Sequence, residues 1–306
     1  MFQNSAANRE ALSVTRSPVD IWVLAARPKT LAAAAAPVLI GIAMAHAAGG
    51  FHLWSALAAL TGALLIQIGT NFANDYYDHK KGTDTEDRLG PLRVTQAGLV
   101  APATMKRATY AVFGLAILVG VHLVWRGGWP IVVIGLLSVL FGVLYTGGPC
   151  PLGYNGLADI FVLIFFGPVA VGGTYYVQTL TIHTPVLLAG LAPGLFSVAI
   201  LTVNNLRDID NDRAGGKKTL TVRFGKTFAR FEYLTTIVVA CLLPVVLHVL
   251  YDTSPYPVIS AATLLLAIPC VRQVFTVAGK PLNDTLAATG RLLLIFSVLF
   301  SIGWIL

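Results

Sequence analysis

Apolar runs of membrane-spanning length alternate along this chain with short polar stretches. A helix rises about 1.5 Å per residue, so roughly 20 apolar residues cross the hydrocarbon core of a bilayer. That rule predicts nine spans: Leu31–Ala48, Leu53–Phe72, Ala108–Trp125, Pro130–Tyr145, Leu157–Gln178, Pro185–Leu206, Phe231–Leu250, Val258–Val274 and Ala287–Leu306. The fourth is short, and Pro185, Pro193 and Pro269 stand where they could kink theirs. Met1–Asp20 is polar and lacks the charged-then-apolar-then-small order of a cleaved signal peptide. It reads as a cytoplasmic tail, and residues 21–306 read as a single transmembrane domain.

Two polar stretches break the pattern in the same way. Asn71–Arg93 follows an apolar run and carries five acidic and four basic residues. Asn204–Lys218 follows another, and the two together hold eight of the chain's fourteen Asp and Glu. A carboxylate near hydrocarbon is costly, so clusters at the ends of spans point to function.

Composition agrees with the pattern. Of 306 residues, 56% are hydrophobic and 11% charged, against roughly 25% charged in a soluble domain. The fold class is all-α, a polytopic membrane protein. Cys150, Cys241 and Cys270 have neither metal nor disulfide spacing and are expected to pack as small apolar groups. The net charge of +7 raises the question of nucleic acid, and the placement of the charge answers it. With the N-terminus inside, the segment before the first span and the loops after spans two, four, six and eight, counted with the adjoining ends of the spans, hold four, six, zero, seven and three Lys or Arg. Twenty of 21 basic residues are then inside and only Arg126 is outside. That is the positive-inside signature of a multi-pass inner-membrane protein, not a nucleic-acid surface. His46, His52, His122, His183 and His248 fall toward the outer side without ligand spacing and read as interfacial.

Both acidic clusters therefore face the cytoplasm. Asn74 and Asp78 are four residues apart, as are Asn204 and Asp208, and Asp208 and Asp212. Positions i and i+4 share a helix face, so each cluster presents a row of oxygens. Asp75 and Asp84 can extend the first row. Oxygen ligands without Cys or His suit a hard cation, Mg²⁺ above all, which completes its shell with water and phosphate. Arg27, Lys29, Lys81, Arg93, Arg207 and Lys217 are candidate donors to a diphosphate, although inside-positive anchoring explains a basic residue equally well. Asp159, near the start of the fifth span, is an ionisable group that needs a reason. It is expected to orient an aromatic substrate or to pair with a motif Arg. Tyr145 is among several aromatics able to face a cation, with ordinary packing the plainer reading. A divalent-cation transporter would also use acidic rows, but no polar path leads from them across any span. A quinone- or lipid-binding scaffold leaves the duplicated rows unexplained.

NDYYDHKKGTDTEDRLGPLRVTQAGL and NNLRDIDNDRAGGKKTLTVRFG resemble the two aspartate-rich motifs of the UbiA superfamily of intramembrane prenyltransferases. ARPKTL (Ala26–Leu31), LYTGGP (Leu144–Pro149) and GLADIFVLIFFGPVAVGG (Gly156–Gly173) extend the resemblance over nearly the whole chain after the tail. Many members carry the first motif as Asn-Asp-x-x-Asp-x-x-x-Asp. Here Gly82 takes the last position and Asp84 is the next carboxylate, as in the branch acting on 1,4-dihydroxy-2-naphthoate in menaquinone biosynthesis. Some relatives of that branch have a Lys soon after Tyr-Thr-Gly-Gly, and none stands here between Gly148 and Asp159. The resemblance implies nine helices around a central cavity capped by cytoplasmic loops. It implies Mg²⁺ held on a polyprenyl diphosphate by Asn74, Asp75, Asp78, Asp84, Asn204, Asp208 and Asp212. It also implies attack by the naphthoate ring with loss of carbon dioxide; homogentisate and 4-hydroxybenzoate are the alternative acceptors.

Overall fold

The computed structural model describes residues 16–82 and 89–306, and every regular element among them is helical. A short helix, α1 (Pro18–Ala26), leads into α2 (Pro28–Ala47), α3 (Leu53–Lys81), α4 (Pro102–Gly127) and α5 (Trp129–Leu144). Then come α6 (Ala158–Thr179), α7 (Thr184–Ala214), α8 (Leu220–Tyr251), α9 (Tyr256–Thr276) and α10 (Leu282–Ile305). Among the described residues, eight helices are long and apolar enough to cross a membrane. The predicted fourth span, α5, is apolar but only 16 residues long. The protein is a multi-pass membrane protein.

α1 is the element the apolar count passes over. Ser17 caps it: the Asp20 amide donates to Ser17 Oγ at 3.2 Å, and the Ser17 amide donates back to the Asp20 carboxylate at 3.2 Å. Trp22 packs on Phe72 of α3 with ring centroids 5.4 Å apart. Arg27 then turns the chain in the left-handed region, at φ 52°, and Pro28 opens α2. Asn71 of α3 fixes this corner: its amide donates to the Ala26 carbonyl and to Thr30 Oγ1, each at 2.9 Å.

The apolar core joins α2, α6, α7, α8, α9 and α10 around Phe196, Tyr233, Phe296 and Phe300. α6 and α7 cross on glycine. A Cβ on Gly194 would stand 2.5 Å from the Leu163 carbonyl oxygen, and one on Gly190 would stand 2.8 Å from Pro168 Cα. Without a hydrophobic drive between helices in lipid, such close backbone approach is what holds them. α6 is itself interrupted by a π-helical turn, Phe165–Val169, at Gly167 and Pro168. Pro185 stands in the first turn of α7 and does not kink it. Cys241 and Cys270 are buried as expected, whereas Cys150 is exposed in the loop after α5, where no helix covers it. Trp54, Trp125 and Trp129 project outward at the end opposite the acidic clusters, as interfacial aromatics do.

α3 and α7 run about two turns past their predicted apolar ends. Those extra turns carry the acidic rows, so the rows are helical and their i, i+4 registers are real faces.

Gly194→Val should force the crossing apart and cost about 1–3 kcal/mol. Gly120→Ala, with nothing within 4 Å of the added carbon, should cost little or nothing. Thermal unfolding in detergent, followed by loss of monodisperse protein, separates the two. Equal midpoints would show that the crossing does not depend on glycine.

Candidate active site

The end of α3 buries Asn74, Asp75 and Asp78. Asp78 accepts from Arg93 Nη2 at 2.8 Å and from the Tyr154 hydroxyl at 2.9 Å. Asn74 Oδ1 accepts from the Thr146 hydroxyl at 2.8 Å, and Lys81 donates to the Thr146 carbonyl at 2.5 Å. The Leu144–Pro149 loop thus wraps the end of the helix. Gly147 is required there, since a Cβ would stand 2.8 Å from the Tyr77 ring. Asp75 points elsewhere. Its two oxygens accept the backbone amides of Val94 and Thr95, each at 3.2 Å. That clasp holds the loop that delivers Arg93 to Asp78.

The end of α7 buries Asp208 and Asp212, with Asn204 partly covered on the same face. Arg207 grips Asp208 with two nitrogens, at 2.8 Å and 2.5 Å, and donates to Asn204 and Asn283 at 2.8 Å each. Asn283 in turn holds the Leu89 carbonyl at 2.8 Å. Lys217 lies 3.0 Å from Asp212. Asp210, off the i, i+4 face, is exposed and pairs loosely with Arg213 and Lys226.

Tyr154 joins the rows. Its hydroxyl holds Asp78, while Lys81 and Lys217 stand over its ring at 4.4 Å and 5.1 Å. Lys218 donates to the Tyr154 carbonyl at 2.8 Å, and Arg223 donates to the Asn155 carbonyl at 2.9 Å. One loop therefore ties the end of α3 to the end of α7. No run of like residues flagged Tyr154. The only signal was its position in the loop where some relatives of the naphthoate branch place a Lys.

Other predicted residues fall as follows. Asp84 lies outside the described residues. Arg27 sits at the α1–α2 corner, within electrostatic reach of Asp75. Lys29 is exposed and makes no hydrogen bond or ion pair among the described residues. Tyr145 stands between the site and the interior, close enough to sense the charges of Asp159, Asp212 and Asp78. Asp159 is buried, and neither of its oxygens has a hydrogen-bond partner, so it does not pair with a motif Arg. Glu232 of α8, which the apolar pattern did not mark, stands within reach of its charge.

Among the described residues, no three His, Cys, Asp or Glu side chains converge as a metal cluster. The carboxylates are held on Arg93, Arg207 and Lys217 instead. Their chemistry nonetheless fits a hard cation: carboxylate and carboxamide oxygens from two helices, with no thiolate or imidazole in either row.

Solved structures share the fold. A UbiA homolog from Archaeoglobus fulgidus bound to GPP and Mg²⁺ superposes with a TM-score of 0.66 at 12% identity, covering 92% of this chain and 99% of that one. An apo UbiA homolog from Aeropyrum pernix K1 also gives 0.66 at 14% identity, over 87% of this chain and 97% of that one. Sequence relatives are nearer. The 1,4-dihydroxy-2-naphthoate octaprenyltransferase of Escherichia coli is 38% identical over 94% of this chain and 96% of its own length. The Mycobacterium tuberculosis protein of that name is 36% identical over 90% and 94%, and the Bacillus subtilis one 33% over 92% and 91%. The UbiA prenyltransferase family profile matches residues 34–304, and this chain belongs to that family.

Proposed function

We propose that this protein transfers a polyprenyl group from polyprenyl diphosphate to 1,4-dihydroxy-2-naphthoate, with loss of carbon dioxide, in menaquinone biosynthesis. One observation carries the reading. Two oxygen rows on separate helices are joined through Tyr154, with two lysines over its ring, in a chain 36–38% identical over 90–94% of its length to 1,4-dihydroxy-2-naphthoate octaprenyltransferases. Residues 21–306 form the working unit, in the inner membrane with the N-terminus and the site at the cytoplasmic face, a reading that the placement of positive charge supports.

Asn74, Asp78, Asp84, Asn204, Asp208 and Asp212 would hold a divalent cation, and their oxygens suit Mg²⁺. When bound, it would neutralise the diphosphate oxygens as a Lewis acid. Asp75 acts from behind, by holding the Arg93 loop. Arg93, Arg207 and Lys217 are already aimed at the carboxylates, Lys81 stands beside them on the Thr146 carbonyl and the Tyr154 ring, and a diphosphate entering between the rows takes over their hydrogen bonds. Those donors then favour the charge that builds on the leaving oxygen as the allylic C–O bond breaks. Arg27 and Lys29 stand at the cytoplasmic rim, where they draw the anionic head inward. The apolar body of the bundle keeps water from the allylic carbon. Asp159 and Tyr145, one step deeper, face the ring that attacks it.

Purified protein with Mg²⁺, an allylic polyprenyl diphosphate and 1,4-dihydroxy-2-naphthoate should give prenylated naphthol by mass spectrometry. EDTA should abolish it and added Mg²⁺ restore it. Asp78→Ala and Asp208→Ala should each lose about a hundredfold or more. Prenylation of homogentisate or 4-hydroxybenzoate instead would move the acceptor assignment, and no turnover of any acceptor would end the reading.

Tyr154→Phe keeps the ring under the lysines and removes one bond to Asp78, so kcat/KM for the prenyl diphosphate should fall by about tenfold. Tyr154→Ala frees both lysines and should fall further. Steady-state kinetics on the two variants would show whether the ring or the hydroxyl matters more; unchanged rates in both would remove Tyr154 from the site.

A further inference from the structure

The site described above leaves one buried group unmatched. Asp159, in the first turn of α6, is 7% exposed, and neither of its oxygens accepts a hydrogen bond from another residue among those described. A buried carboxylate without a donor is expensive, and a fold keeps one where a ligand completes it. A second carboxylate lies within reach of its charge. Glu232 of α8 is partly buried and accepts the Thr202 hydroxyl at 3.1 Å through Oε2. No cation pairs with either acid among the described residues. Tyr145 lies beside them, its ring against Gly153 and within electrostatic reach of Asp159 on one side and of Asp78 and Asp212 on the other. The interior is thus electrostatically graded. Its cytoplasmic end holds Lys81, Arg93, Arg207 and Lys217, and its inner end holds two acids with acceptor capacity to spare.

We propose that Asp159 and Glu232 form the recognition end for the aromatic acceptor, accepting a hydrogen bond from the ring hydroxyl remote from its carboxylate. The inference rests on the prenyl transfer proposed above and adds the orientation of the ring. Even with one proton shared between them, the remaining carboxylate charge repels the carboxylate of a hydroxyaryl acid and accepts from its hydroxyl. In 1,4-dihydroxy-2-naphthoate the 1-hydroxyl lies beside the carboxylate and the 4-hydroxyl lies across the ring. The 4-hydroxyl therefore points to Asp159 and Glu232, and the carboxylate edge turns to the cationic end, where the allylic carbon stands. A site whose buried acceptors need a donor rejects analogues that lack it far more strongly than an apolar pocket could.

The test uses 1-hydroxy-2-naphthoate, which lacks that hydroxyl, as a competitive inhibitor of the purified enzyme. Asp159→Asn and Glu232→Gln keep the shape and remove the charge, and Asp159→Ala removes the acceptor. The first two should raise KM for 1,4-dihydroxy-2-naphthoate about tenfold, as loss of a charge-assisted hydrogen bond does, and the alanine variant should raise it more. KM for the prenyl diphosphate and Ki for 1-hydroxy-2-naphthoate should stay within about twofold of wild type by the same bookkeeping, since neither uses the lost bond. Equal weakening of both naphthoates, or a raised KM for the prenyl diphosphate, would make the two acids structural and overturn the assignment. A wild-type enzyme that ignores 1,4-dihydroxy-2-naphthoate and prenylates another ring would sink the underlying reading and the orientation with it. That failure shows in wild type alone, before any variant is compared.

Discussion

Charge held close to hydrocarbon must be answered by charge, and the end of this bundle that carries the acidic rows is arranged to do so. Asp78 has Arg93, Asp208 has Arg207 and Asp212 has Lys217. Breaking a buried pair by removing one partner typically costs about 3–5 kcal/mol. The pairs therefore do not float. Arg93 is delivered by a loop that Asp75 clasps through two backbone amides, Arg207 is braced by Asn204 and Asn283, and Lys217 rests on Tyr154. Loops that would otherwise wander over the helix ends are fixed because the carboxylates need their cations.

The same pairing explains how a site can be both stable and receptive. On the proposed reading the ligand is an anion, and the cations it would need are already present and ordered. Exchange of one set of oxygens for another leaves each guanidinium and ammonium satisfied before and after. Preorganised donors of this kind need little rearrangement when charge develops on the leaving group.

Much of this was legible in one dimension, and the exceptions share a cause. The rows at Asn74–Asp78 and Asn204–Asp208–Asp212 could be read because helical period alone decides which residues share a face. The same rule sets Asp210 aside, and the structure leaves it exposed. Tyr154 could not be read, because its partner Asp78 lies 76 residues away and only the folded loop brings them together. Asp75 looked like one more ligand, since its partners are backbone amides 19 and 20 residues on, which no side-chain pattern records. α1 did leave a mark, the Ser17–Asp20 spacing of a capping box, which a search for apolar runs alone passes over. Glu232 sits at the margin of a predicted span, and only the folding of α7 against α8, where Thr202 donates to it, sets it apart.

The short helix α5 has a consequence for how the substrate arrives. Sixteen residues span about 24 Å, several ångströms less than the core of an average bilayer. Such a mismatch is met by thinning the membrane locally or by drawing the helix's polar flanks inward. The flank here is the loop from Tyr145 to Tyr154, which lies against the acidic rows. The proposed site would therefore sit below the general level of the headgroups. A long-chain lipid diphosphate can reach it by sliding sideways through the leaflet in which it is already dissolved, so its tail never has to cross water, and bilayer thickness becomes a variable of the enzyme's rate.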